Sequence, residues 1–148
     1  MREPRELTER ECRDLLAAGG VGRVAVCTPD GPHLVPVNYA VHDDSVVFRT
    51  TPYSVLGKLA WHQRLAFEVD HLDHENWRGW SVVAAGPGEM VEAGDELAAI
   101  RTFWDPRPWA AGQRLLYVRL RWDRLTGRKL GEGWLPSDEP PVRRVMRP

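Results

Sequence analysis

Cysteine is scarce in this chain. Cys12 and Cys27 are the only two in 148 residues, and neither belongs to a CxxC pair. Two isolated thiols cannot build a disulfide framework, so the expectation is buried free thiols in a reducing compartment. No apolar run approaches the ~20 residues of a membrane span. The opening Met1-Arg2-Glu3-Pro4-Arg5-Glu6 lacks the apolar stretch of a secretion signal. A cytoplasmic protein without a membrane partner is expected. A surplus of one charge is also missing. Lys plus Arg number 20 and Asp plus Glu 21, for a net charge of -1. A nucleic-acid binder would carry a basic excess, so no nucleic-acid partner is expected. There is no Walker loop, no GxGxxG and no Ser-His-Asp or Cys-His signature. The catalytic residues therefore stay unknown at this level. His71 and His74 stand three apart among Asp70, Asp73 and Glu75. No cysteine is near them, and the expectation is a solvated loop and no metal.

What is present suits one soluble domain: 43% hydrophobic and 28% charged residues. Residues 8–18 read as a helix, with Thr8 and Glu11 spaced as a capping box and Cys12, Leu15 and Leu16 on one face. Gly19-Gly20 ends it. Val21 to Thr28, His33 to His42 and Val46 to Thr51 follow as strands joined by the turns Pro29-Asp30-Gly31 and His42 to Ser45. In the second of these, Val35, Val37, Tyr39 and Val41 share one face and Leu34, Pro36, Asn38 and Ala40 the other. Ser54 to His62 reads as a short helix, Leu65 to Asp70 as a strand, and a further strand begins near Trp80. Gly86-Pro87-Gly88 marks a bend in it. Residues 94–103 read as a helix, Trp104 to Trp109 as a rigid aromatic loop, and Arg114 to Trp122 as the last strand. Trp61 and Trp122 are expected in the core. The fold class is mainly β: an antiparallel barrel of six to seven strands with a few short helices. Residues 1–134 form the single domain, and the Pro-rich 135–148 is expected to be an extended or flexible tail.

Two segments carry chemistry. In Phe48-Arg49-Thr50-Thr51-Pro52-Tyr53-Ser54, followed by Lys58, a strand ends in an arginine and two hydroxyls, and a helix opens just after. Arg grips phosphate bidentately, hydroxyls donate to it, and a helix start favours an anion. The pattern fits a phosphomonoester cradle. It also fits surface charges with Ser54 as a helix cap. In Val35-Pro36-Val37-Asn38-Tyr39 the proline leaves backbone groups unpaired beside an amide. That suits the polar edge of a heteroaromatic ring, or an ordinary edge strand. The loop-flanking Trp77, Trp80, Trp104 and Trp109 suit a ligand wall, a dimer interface or core packing.

These segments carry a resemblance. In order stand Glu11 to Leu16, Gly22-Arg23-Val24-Ala25, Pro36-Val37-Asn38-Tyr39, Val47-Phe48-Arg49-Thr50, Ala66 to Asp70, Gly79-Trp80-Ser81-Val82, Trp109-Ala110, Tyr117-Val118-Arg119 and Thr126-Gly127-Arg128. Over about residues 8–130 the chain resembles the pyridoxamine 5'-phosphate oxidase-like family, the FMN-binding split barrels, in its small bacterial branch of unknown substrate. The resemblance implies a split β-barrel, a homodimer, and FMN at the interface. It places Arg49, Thr50 and Lys58 at the phosphate, to which the cradle reading adds Ser54 as a cofactor-binding hydroxyl, and Val37 and Asn38 beside the flavin ring. Glu68 and Val69 would line the same groove, and Trp80 and Ser81 would come from the fifth strand or from the partner chain. Arg128 is a further candidate. The function implied is an FMN-dependent oxidoreductase on an unidentified small molecule. The alternatives are a non-catalytic flavin-binding or sensor module, or a relative using F420 or haem. The arginine and histidine pattern of true pyridoxamine phosphate oxidases is missing near the C-terminus, which puts vitamin B6 oxidation in doubt.

Overall fold

The computed structural model describes residues 3–131. The capping box forms: Thr8 accepts from the Glu11 amide at 3.2 Å, and Glu11 accepts from the Thr8 amide at 2.8 Å. The hydrogen bond from Arg5, with that from the Thr8 amide behind it, holds the Glu11 carboxyl down at about 2. Helix α1, Glu9–Ala17, buries Cys12, Leu15 and Leu16. It is preceded by β1, Arg5–Glu6, and followed by β2, Gly20–Thr28, β3, Gly31–His42, and β4, Ser45–Thr50. The first hairpin turns on Gly31, whose φ of 118° is open only to glycine at low cost. Then come α2, Val55–Leu59, a 3-10 turn over Ala60–His62, β5, Arg64–Asp73, and β6, Arg78–Met90. Helix α3, Asp95–Phe103, precedes β7, Leu116–Arg121, and β8, Arg124–Leu130.

All strands join one antiparallel sheet in the order β1-β8-β6-β5-β2-β3-β4-β7, and β6 also pairs with β7. Six strands thus close a barrel, and β8 with β1 extends from its wall. The described sheet has eight strands rather than six or seven. The two unforeseen strands are β1, too short to show a pattern, and β8, whose Arg124-Leu125-Thr126-Gly127-Arg128-Lys129-Leu130 carries too few apolar residues to read as a strand. Strand β6 makes the split. Its Gly79–Ala85 half pairs with β8, and its Gly88–Met90 end pairs with β7. The bend lies at Gly86-Pro87-Gly88, and neither glycine has room for a side chain. A Cβ on Gly86 would overlap the Arg121 carbonyl oxygen, and one on Gly88 the Ala60 carbonyl oxygen.

Alternation divides each strand. Val24, Val26, Val37, Tyr39, Phe48, Phe67, Val69, Trp80, Val82, Val118 and Leu120 fill the barrel. A smaller cluster of Val47, Val91, Ile100 and Tyr117 packs α3 against the outside of β4 and β7. Trp122 is buried as expected. Trp61 is 42% exposed and is not a core residue; its indole donates to the Gly57 carbonyl and its ring lies on His62. Cys12 is a buried free thiol, but Cys27 is exposed, because it faces outward on β2. No helix among the described residues is long and apolar enough to cross a membrane. The boundary at 134 and the tail 135–148 lie outside the described residues.

Candidate functional site

The residues singled out above fall on both faces of the sheet. Val37, Thr50, Val69 and Trp80 point into the barrel, whereas Asn38, Arg49, Glu68 and Ser81 point out, as neighbours on a strand must. Thr50 is 3% exposed and within 2.6 Å of Ser54 Oγ. Ser54 is the N-cap of α2. It accepts from the Gly57 amide at 3.0 Å and donates to the Thr51 carbonyl at 2.9 Å. Its one proton is thus committed, so Thr50 is the donor between the two hydroxyls. Together they set the turn that carries Lys58, which is exposed on α2.

Arg49 lies on the other side of β4. Its Nε donates to the Arg114 carbonyl at 3.0 Å, and Nη1 sits 3.3 Å from both oxygens of Asp105. Asn38 is next to Tyr39, Arg49 is next to Phe48, and Tyr39 and Phe48 are paired. Both outward side chains hold the same loop, residues 104–115. Asn38 Oδ1 accepts from the Trp109 amide at 3.0 Å. That bond fixes the side-chain amide, with its NH2 group as the remaining donor. The sequence singled out the aromatic loop for its tryptophans. Its anchors, Asp105 and the Trp109 amide, were missed, because a contact between residues 49 and 105 leaves no local pattern.

From Asn38 the outer face continues across Val21 on β2. On the far side, Asp70, Ser81 and Arg128 form one cross-strand row over β5, β6 and β8. Three strand spacings, roughly 14 Å, separate β3 from β6. Between them Arg23 binds Glu68 at 2.9 Å and Asp70 at 3.7 Å. Burial pushes the Glu68 carboxyl up, Asp70 adds to the rise, and Arg23 opposes it. The face is otherwise apolar: Val21, Leu34 and Val83 are exposed on it, with Leu34 at 73%.

At the β5–β6 end of this face is a cavity of about 650 Å³. Asp70, Ser81, Arg128, Trp77 and Trp80 are among its lining. Trp77 holds the turn with φ 54° and is 85% exposed. Trp80 is 2% exposed, and its indole N–H is buried without a partner among the described residues. A buried donor left unpaired is costly, and this one lies on the barrel side of β6.

A match to the family described as pyridoxamine 5'-phosphate oxidase spans residues 8–129. The chain belongs to that family. The Mycobacterium tuberculosis protein Rv0080, named as uncharacterized, is 32% identical over 110 residues, covering 71% of this chain and 72% of the relative. A solved structure from Corynebacterium glutamicum, named as a candidate pyridoxamine 5'-phosphate oxidase, is 30% identical. It has a TM-score of 0.73 and covers 88% of this chain and 96% of the other. An FAD binding protein from Mycobacterium smegmatis is 26% identical, with a TM-score of 0.68 and coverage of 87% and 100%. Within this family fold, the split-barrel architecture expected from the sequence is the one observed.

Proposed function

We propose that this member of the family binds FMN on the outer face of its sheet, as a cytoplasmic homodimer, and acts as a flavin-dependent oxidoreductase on a small molecule. One observation carries the reading: the cavity at the β5–β6 end of this face, which sets the Trp77 ring beside Asp70, Ser81 and Arg128. Its volume lies within the range of small-molecule sites. The fit extends to the other end of the face, where Arg49 is already arranged around a carboxylate, in a setting suited to a phosphate. The flavin, when bound, supplies the redox chemistry. The chain's own residues bind and orient it.

In this reading Ser81 meets the ring, and Trp80, whose side chain points into the barrel, contributes through its backbone. The Asn38 NH2 donates to a ring carbonyl, with its orientation set by Trp109. Arg49 and Lys58 bind the phosphate by charge. Thr50 and Ser54 shape the turn that presents Lys58. Val37 and Val69 contribute through their backbone, since their side chains belong to the core. Glu68 and Arg23 order the face between the two ends, and Arg128 stands at the cavity rim.

The test is titration with FMN and riboflavin, followed by quenching of flavin fluorescence. Arg49→Ala should weaken FMN by about 2 kcal/mol, the worth of a charge-assisted hydrogen bond, roughly 30-fold, and leave riboflavin nearly unchanged. Equal losses for both ligands would remove the phosphate role, and no binding of either would sink the flavin reading. The visible spectrum of the isolated protein separates flavin from the haem and F420 alternatives. The dimer is supported by the exposed Val21, Leu34 and Val83 on one face. Sedimentation at micromolar concentration is expected to give a dimer, and monomer alone would refute it.

A further inference from the structure

Arg49 already holds an anion, and that anion is part of the chain. Asp105 places both carboxylate oxygens 3.3 Å from one guanidinium nitrogen. One of them also accepts from the Tyr117 hydroxyl at 2.9 Å. The guanidinium carbons of Arg49 and Arg101 lie 5.0 and 5.4 Å from the centroid of the Tyr117 ring. Arg49 and a phenol therefore hold this carboxylate, and a second arginine lies over the phenol's ring. Burial, and then Asp105, push the Tyr117 hydroxyl up.

The grip is not the strongest that these groups can make. A two-nitrogen fork with short parallel bonds is the favoured arginine–carboxylate geometry. Here one nitrogen serves both oxygens, and Nε is turned to the Arg114 carbonyl. Asp105 is thus a moderate, singly charged occupant. A phosphomonoester brings about -1.5 to -2 charges at pH 7 and three acceptor oxygens.

We infer that Asp105 is a specificity-determining residue: an internal anion that occupies the Arg49 subsite until a phosphate group displaces it. The inference rests on the flavin-phosphate reading above and adds a threshold to it. Carboxylates and other weak anions do not outcompete Asp105, and a neutral ligand does not engage Arg49. The exchange also loosens one of the ties of loop 104–115, since Asp105 and the Trp109 amide attach that loop to Arg49 and Asn38.

The experiment compares wild type, Asp105→Asn, Tyr117→Phe and Asp105→Asn/Arg49→Ala in calorimetric titrations with FMN and riboflavin. Thermal melts with and without inorganic phosphate run alongside. Asp105→Asn should bind FMN about tenfold tighter, with riboflavin within about twofold of wild type. Tyr117→Phe, which leaves both charges in place, should move FMN affinity the same way by less. The double variant should lose the gain. Phosphate should raise the melting temperature of Asp105→Asn more than that of wild type, each against its own phosphate-free baseline. FMN affinity unchanged or weakened in Asp105→Asn, while wild type still prefers FMN over riboflavin through Arg49, overturns the inference and leaves the flavin reading intact. If wild type binds no flavin, that reading fails and the phosphate melts decide: an equal response in the two proteins overturns the internal-anion role, and a larger one in Asp105→Asn upholds it.

Discussion

Gly86→Ala should cost about 3 kcal/mol or more, at the upper end of overpacking effects, and should open the barrel at its seam. Gly86 sits where β6 leaves β8 and turns to β7. The space for its Cβ is taken by the carbonyl group of Arg121 and the Cα of Trp122. These are backbone atoms, so no rotamer change relieves the overlap. Either β7 moves away from β6 or the β6 bend unwinds. The first removes the β6–β7 pairing that closes the ring, and the second removes the split. Urea denaturation followed by circular dichroism would measure the loss. A variant within about 1 kcal/mol of wild type would show that the seam yields locally, and the account of the split would fail.

Phe67→Ala should destabilise by about 3–5 kcal/mol, toward the upper part of that range. Phe67 is fully buried, and its ring centroid lies 4.6 Å from that of Tyr39. The ring also fills the space that a side chain on Gly22 would need. Truncation therefore leaves two small residues facing one void, and the β2–β5 backbone offers little to collapse into it. Because Arg23 and Glu68 stand on the opposite side of the same two strands, the outer face loses its support from beneath. The same denaturation experiment applies. A loss below about 2 kcal/mol would mean that the site collapses freely, against the rigid sheet described here.

Both effects were partly legible in the residues. Gly86-Pro87-Gly88 stood out as a bend, since proline and glycine weaken a regular ladder. That the bend is the point where two halves of one strand take different partners needed the pairing of β6 with both β7 and β8. The alternation of β3 was plain from Val35, Val37, Tyr39 and Val41, and so was the capping box at Thr8 and Glu11. Strand β8 was not plain, because a solvent-facing strand at the edge of a barrel needs few apolar residues.

The candidate site divides in the same way. Sequence proximity suggested that Arg49 and Thr50 act as one cradle. Strand geometry sends them to opposite faces, one to Asp105 and one to Ser54. The sequence by itself determined the antiparallel barrel, its turns and the family resemblance, because these depend on local spacing and on the order of blocks along the chain. Only the tertiary structure decided which groups meet: Arg49 with Asp105, Asn38 with the Trp109 amide, and Asp70, Ser81 and Arg128 in one row along a cavity. Those contacts join residues far apart in the chain, and the sheet register that brings them together is a property of the closed barrel as a whole.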